Sequence, residues 1–253
     1  MAHVEDGLSL GGRMAIVTGG ARGLGAAVVA RLDAAGVRGI ILDVEANPQL
    51  ATGWSCVQAD LRQNDSILAA FAAVTERLPR LDIVVAAAGV VPPWSSVRDQ
   101  DFAEWDSVFE LNVRGLAATV RSASSLMGAG GSIVAIGSVN SWRGDPNLMS
   151  YVASKHAVLG IVRSAALELG PLGIRVNAVA PGPIATEALL SRIRSRSAAG
   201  GLSEQSAIEA AASQTALRRI ATADEVASAT LFLASPLSSG ITGQLLPVDA
   251  GVL

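Results

Sequence analysis

The sequence predicts an α/β protein of the doubly wound class, a mostly parallel seven-stranded sheet with helices on both faces. Three observations predict it. Short apolar runs alternate with helix-length segments along the whole 253-residue chain. A glycine-rich turn follows the first run, and an acid closes the second. Half of the residues are apolar, aromatics make up only 4%, and alanine and glycine abound, which suits helices packed closely on a sheet.

The expected strands are 14–18, 39–43, 54–59, 83–87, 132–138, 175–180 and 244–248, each a short apolar run. The longest uninterrupted apolar stretch, 83–91, is about half of what a bilayer span needs, so it reads as a strand buried on both faces. Helical patterns lie between the strands, at 25–35, 66–78, 102–127, 151–169 and 224–233. Thr222 and Glu225 have the spacing of a capping box opening the last of these. Strand alternating with helix implies right-handed crossovers and a parallel sheet. No linker, repeat or composition shift divides residues 1–253, which predicts one domain. Segment 184–216 breaks the rhythm: it is polar, helical in propensity and interrupted by Gly200 and Gly201, as expected of a substrate-binding lid near the strand ends.

Composition excludes several functions. A net charge of -3 gives no footprint for nucleic acid or an anionic membrane. The one arginine cluster, Arg192, Arg194 and Arg196, is short and reads as a solvated helix face. Cys56 is the sole cysteine, and His3 and His156 are the only histidines, so no Cys/His zinc site can be assembled and none is expected. The same scarcity argues against a Ser-His-Asp or Cys-His hydrolase. Glu5 and Asp6 with no apolar core are unlike a signal peptide, and the expected location is cytoplasmic.

The chain has one tyrosine and one lysine, Tyr151 and Lys155, against eighteen arginines. Residues at i and i+4 share a helix face, with Cβ atoms roughly 5–6 Å apart. A cation that close eases phenol ionisation, since two unit charges ~4 Å apart interact by about 4 kcal/mol at an effective dielectric near 20. The pair therefore has the makings of a general acid/base.

The turn after the first strand reads Thr18-Gly19-Gly20-Ala21-Arg22-Gly23-Leu24-Gly25. Glycines there let backbone approach a pyrophosphate, and the following helix N-terminus presents free N–H groups to it. Asp43, eighteen residues after Gly25, is near the offset at which an acid accepts from the adenosine ribose. It would repel a 2′-phosphate, which favours NAD over NADP. Arg22 pulls the other way, and capping of the next turn is the structural alternative for Asp43. Asp60, followed by Leu61, ends the third strand where it could meet the adenine amino group.

Together these pieces resemble the short-chain dehydrogenase/reductase family in its single-domain, Rossmann-type form. The resemblance rests on the Thr18–Gly25 turn, Asp60, Ala88-Gly89, Asn112, Ser138, Tyr151-x-x-x-Lys155, Pro181-Gly182 leading to Thr186, and the closing Val248-Asp249-Ala250-Gly251. The chain departs from it in two places. Ala86-Ala87-Ala88-Gly89 replaces the usual Asn-Asn-Ala-Gly, and Ala250 stands where glycine is usual.

The resemblance implies an oxidoreductase that moves a hydride between NAD(H) and a carbinol or ketone. It makes Tyr151 the general acid/base and Ser138 the hydrogen-bond partner of the reacting oxygen. Lys155 would lower the Tyr151 pKa and hold the nicotinamide ribose. Asn112, in a kinked helix, would position a relay water, and Thr186 and the Ile184 backbone would bind the carboxamide. It also implies a homotetramer, with helices 102–127 and 151–169 at one interface and the C-terminal strand at another. Candidate pocket walls are Val91, Pro93, Trp94, Asn140, Trp142, Leu148 and Met149 with the 184–216 lid, mainly apolar and with no cation evidently aimed inward; subunit packing is the alternative for Trp94 and Trp142. The expected substrate is thus a neutral, fairly hydrophobic secondary alcohol or ketone. The competing expectations are an NADPH-dependent 3-oxoacyl thioester reductase and, more remotely, a non-catalytic dinucleotide sensor.

Overall fold

A computed structural model describes residues 10–45, 53–198 and 200–252, so the reading of the N-terminus from His3, Glu5 and Asp6 lies outside the described residues. The strands are β1 (Met14–Thr18), β2 (Arg38–Asp43), β3 (Trp54–Gln58), β4 (Leu81–Ala86), β5 (Met127–Ile136), β6 (Arg175–Pro181) and β7 (Leu245–Val248). They form one sheet in the order β3-β2-β1-β4-β5-β6-β7, and every neighbouring pair is parallel. The helices are α1 (Gly23–Ala34), α2 (Asn64–Arg77), α3 (Phe102–Phe109), α4 (Leu116–Ser124), α5 (Met149–Leu169), α6 (Glu187–Ala198), α7 (Glu204–Ser213) and α8 (Ala223–Ala234).

Both faces of the sheet are covered, as continuous apolar strands require. Ile16, Ile40 and Val84 point to one side, into a core with Phe71 of α2, Val120 of α4 and Val162 of α5. Their neighbours Ala15, Val17 and Ile41 point to the other, against Val28 and Leu32 of α1 and Val226 and Leu231 of α8. Burying such a side chain contributes about 1.5–3 kcal/mol, so these two layers hold the strand ends in place.

Where the expected elements differ, local hydrogen bonding explains it. Asp101 opens α3 by accepting from the Ala103 N–H at 2.8 Å. The long helix expected over 102–127 is interrupted by a π-helical turn at Glu110–Gly115 and ends at Ser124. β5 begins at Met127, earlier than expected, and stops at Ile136. Ser138 cannot extend it, because its hydroxyl takes the Asn140 N–H at 3.1 Å and starts a short 3₁₀ turn. The Thr222/Glu225 capping box is reciprocal, at 2.8 and 3.2 Å.

Strand order reverses at β1, whose neighbours are β2 and β4. The connections leaving the carboxyl ends of β1 and β4 therefore lead to opposite faces of the sheet, to α1 and α4, and leave a crevice outside the strand ends, the usual ligand position in such sheets. Segment 184–216 contributes α6 and α7. Among the described residues no helix is long and apolar enough to cross a membrane.

Candidate active site

At the crevice, the β1 turn and the β4 loop touch backbone to backbone. Gly19 has φ +66°, and a Cβ there would lie 2.7 Å from the Ala88 Cα. A Cβ on Gly25 would lie 2.0 Å from the Gly19 carbonyl oxygen. Only glycine fits either place, and the turn is held tight against α1. Arg22 is the N-cap of α1, yet its side chain makes no capping bond, which leaves the first-turn N–H groups directed at the crevice. Gly23 and Leu24 lie in this first turn. The cradle fits a pyrophosphate.

Asp43 is buried, its carboxylate accepting from the Ala21 N–H at 3.0 Å and the Glu45 N–H at 3.1 Å. It thus braces the glycine turn and caps the segment after β2, which is the structural alternative considered for it. Arg22 pairs with Glu45 at 3.4 Å, both side chains largely exposed. Asp60 is engaged by Arg62 at 2.8 Å, which holds its carboxyl below the usual range. Leu61 is buried. Ala88 donates its N–H to the Thr18 hydroxyl at 3.2 Å, a contact that ties the two loops together without the missing amides.

The chemistry-bearing side chains converge beside this cradle from three elements. Ser138 comes from the cap of the 3₁₀ turn after β5, Tyr151 and Lys155 from the first turns of α5, and Asn112 from the π turn. Asn112 is fully committed: its Oδ1 accepts from the Val90 N–H at 2.8 Å, and its Nδ2 donates to the Val90 carbonyl at 3.0 Å and the Ser154 hydroxyl at 3.1 Å. It braces the β4 loop against α5, and Gly89 next to it has a Cβ direction only 3.2 Å from the Asn112 Oδ1. Lys155 is buried and donates to the Ile136 carbonyl at 2.8 Å. Its Nζ lies 5.7 Å from the centroid of the Tyr151 ring.

Electrostatics here differ from the simple pair argument. Burial raises the Tyr151 pKa above its ordinary value, against a Ser138 hydrogen bond and the Arg192 charge, which lower it. Burial also brings the Lys155 pKa down to about 8. Counting two charges at i and i+4 omitted this desolvation, which moves both groups toward their neutral forms. In the protein alone the phenol is therefore a held proton donor, and the expected net lowering of its pKa is not present.

The substrate side also departs from expectation. Trp142 is 42% exposed, whereas Asn140 is buried against Ser138 with its Nδ2 lacking any hydrogen-bond partner. Trp94 lies under α6, with the Arg192 guanidinium 4.2 Å and that of Arg196 5.1 Å from its ring centroid. The arginine cluster is thus not one solvated face. Arg194 pairs outward with Glu187 and Glu204, while Arg192 turns inward. Its sequence signal was faint: residues 192 and 196 share a helix face that 194 does not. Trp94, nearly a hundred residues away, completes the contact only in the fold.

Pro181 ends β6, and a Cβ on Gly182 would come within 2.8 Å of the Asp249 Cβ, which fixes the exit of the chain from the sheet. Ile184 forms a parallel bridge with Ala221. Thr186 precedes α6, and its hydroxyl accepts from the Leu189 N–H at 3.4 Å. Among the described residues no group of His, Cys, Asp and Glu could hold a metal ion.

The chain is similar to known proteins over nearly its whole length. A family model described as enoyl-(acyl carrier protein) reductase matches residues 19–253. Short-chain dehydrogenase reductase 3a of Arabidopsis thaliana is 37% identical, with 97% of each chain covered. The (-)-isopiperitenol/(-)-carveol dehydrogenase, mitochondrial, of Mentha piperita is 36% identical over 100% of this chain and 96% of its own. Among solved structures, ligand-free aldohexose dehydrogenase of Thermoplasma acidophilum superposes with a TM-score of 0.89 at 30% identity, covering 96% of this chain and 94% of that one.

Proposed function

Because the chain belongs to the short-chain dehydrogenase/reductase family of oxidoreductases, we propose that it interconverts a secondary alcohol and a ketone with NAD(H), Tyr151 acting as general acid/base. The observation that carries this reading is the convergence of Ser138, Tyr151 and Lys155 beside a glycine cradle at the strand-order reversal. A bound nicotinamide cofactor would supply the hydride acceptor or donor.

The chain's own residues do the rest. The α1 N-terminus and the Gly19–Gly25 turn hold the pyrophosphate, Asp43 takes the adenosine ribose, and Asp60 and Leu61 flank the adenine. Ala88 and Gly89 line the floor, and Pro181, Gly182, Ile184 and Thr186 bound the nicotinamide end. Lys155 holds the ribose hydroxyls, and Ser138 fixes the substrate oxygen within reach of the phenol. In reduction Tyr151 protonates that oxygen; in oxidation it removes the hydroxyl proton. A phenol whose pKa burial raises is suited to the first role at neutral pH.

NAD is favoured over NADP because a carboxylate at Asp43, the last residue of β2, would repel a 2′-phosphate, while Arg22 is paired with Glu45. Initial rates with NADH and NADPH test this directly. Faster turnover with NADPH would overturn the cofactor assignment and favour the thioester reductase. The named alcohol dehydrogenase from mint supports a substrate with an apolar body, as do Val91, Leu148 and Met149. A neutral substrate was expected because no cation faced inward, and Arg192 removes that premise.

Segment 184–216 acts as the lid over this site, within one catalytic domain. The assembly is a homotetramer in the cytoplasm: Leu167 of α5 is 82% exposed beside a shallow cleft between α4 and α5, and β7 is a free sheet edge. Light scattering giving a monomer mass would contradict it.

A further inference from the structure

Arg192 is the one guanidinium of the lid turned toward the reacting groups. Its Nε and Nη2 are buried and have no hydrogen-bond partner, and it makes no ion pair among the described residues. The guanidinium carbon lies 4.2 Å from the centroid of the Trp94 ring. That contact holds the cation against the ring but leaves Nε and Nη2 unmatched, since a ring face accepts no fork of hydrogen bonds. Burial lowers its pKa, against the opposing influence of Tyr151 and, after it, of the exposed Asp145 carboxylate. A desolvated guanidinium with two unpaired nitrogens is unfavourable unless an acceptor completes it. Asn140 offers a second buried, unpartnered donor beside Ser138.

We propose that Arg192 binds a carboxylate of the substrate, so that this enzyme acts on hydroxy acids and keto acids with an apolar body. The proposal rests on the hydride-transfer reading of the same site and names its substrate class. A planar fork matches a carboxylate through two parallel hydrogen bonds, which a neutral alcohol such as a terpenol cannot supply. The Trp94 ring holds that fork in place, and α6 carries it over the carbinol held by Ser138 and Tyr151. Arg196 lies on the same ring but is exposed, so it shares the packing role and not the anchoring one.

The test uses the full chain and two readouts, with NADH present for binding and NAD+ as hydride acceptor for turnover. Calorimetric titration compares cyclohexanecarboxylate with cyclohexanecarboxamide, and steady-state rates compare ring-position isomers of hydroxycyclohexanecarboxylate with their methyl esters. The acid is expected to bind roughly 30- to 100-fold more tightly than the amide, a difference abolished in Arg192→Met and partly restored in Arg192→Lys. In turnover, Arg192→Met should raise KM for the acid by a similar factor with a much smaller change in kcat. Arg196→Met controls for lid packing and should keep the acid preference. Equal binding of acid and amide by the unaltered chain, or an equal loss in Arg196→Met, overturns the proposal. Tight, Arg192-dependent acid binding with no oxidation of any alcohol would instead retain the anion site and reject the hydride-transfer reading.

Discussion

Replacing Lys155 with methionine should make the protein without cofactor more stable at neutral pH, and that gain should vanish in alkali. Lys155 is buried, and burial brings its pKa from the ordinary 10.5 down to about 8. A lysine whose folded pKa lies below its unfolded value holds its proton more weakly when folded. Folding is then penalised wherever both states are protonated, and the penalty fades as pH rises from about 8 toward 10.5. At about 1.36 kcal/mol per pH unit the full penalty is about 3 kcal/mol. Methionine keeps the stem volume but leaves the Ile136 carbonyl without its 2.8 Å donor, a loss of about 1 kcal/mol. The variant should therefore be more stable by about 2 kcal/mol near pH 7, and the difference should shrink by about that amount near pH 9.5. Urea unfolding at a series of pH values, with m compared between the two chains, measures it. A stability difference that stays flat with pH would refute the reasoning.

Two further predictions concern stability. Asn112→Leu removes three hydrogen bonds and leaves the part-buried Val90 amide without its acceptor, so it should destabilise by about 3 kcal/mol, lowering Tm by roughly 6–12 °C. An unchanged Tm would mean that the brace between the β4 loop and α5 is dispensable. Ala250 has φ +57°, a left-handed conformation that glycine adopts without strain. Ala250→Gly should raise the urea midpoint by the equivalent of about 0.5–1 kcal/mol, and a lower midpoint would show that the tail is held by something other than its backbone.

The strands were legible because a sheet covered on both faces writes each strand as a short apolar run. The acid/base pair was legible because its spacing is local, one turn of α5. The interruption of the long helix at Asn112 left a weaker mark, since a π turn is set by what its side chain reaches, here the Val90 backbone. The early start of β5 at Met127 was hidden by Gly128, Gly130 and Gly131, which interrupt its apolar run. The direction of the Tyr151 shift was lost for a related reason: charge spacing is written in the sequence, but burial is not. Arg192 was hardest to read, because its orientation depends on Trp94 and on how α6 lies over the site.

The account's central claim is that Tyr151 moves the proton. Tyr151→Phe removes only the hydroxyl, so NADH binding, followed by fluorescence, should persist while kcat/KM for any accepted alcohol or ketone falls by about 10²–10⁴-fold. Turnover by Tyr151→Phe at the rate of the unaltered chain would contradict it.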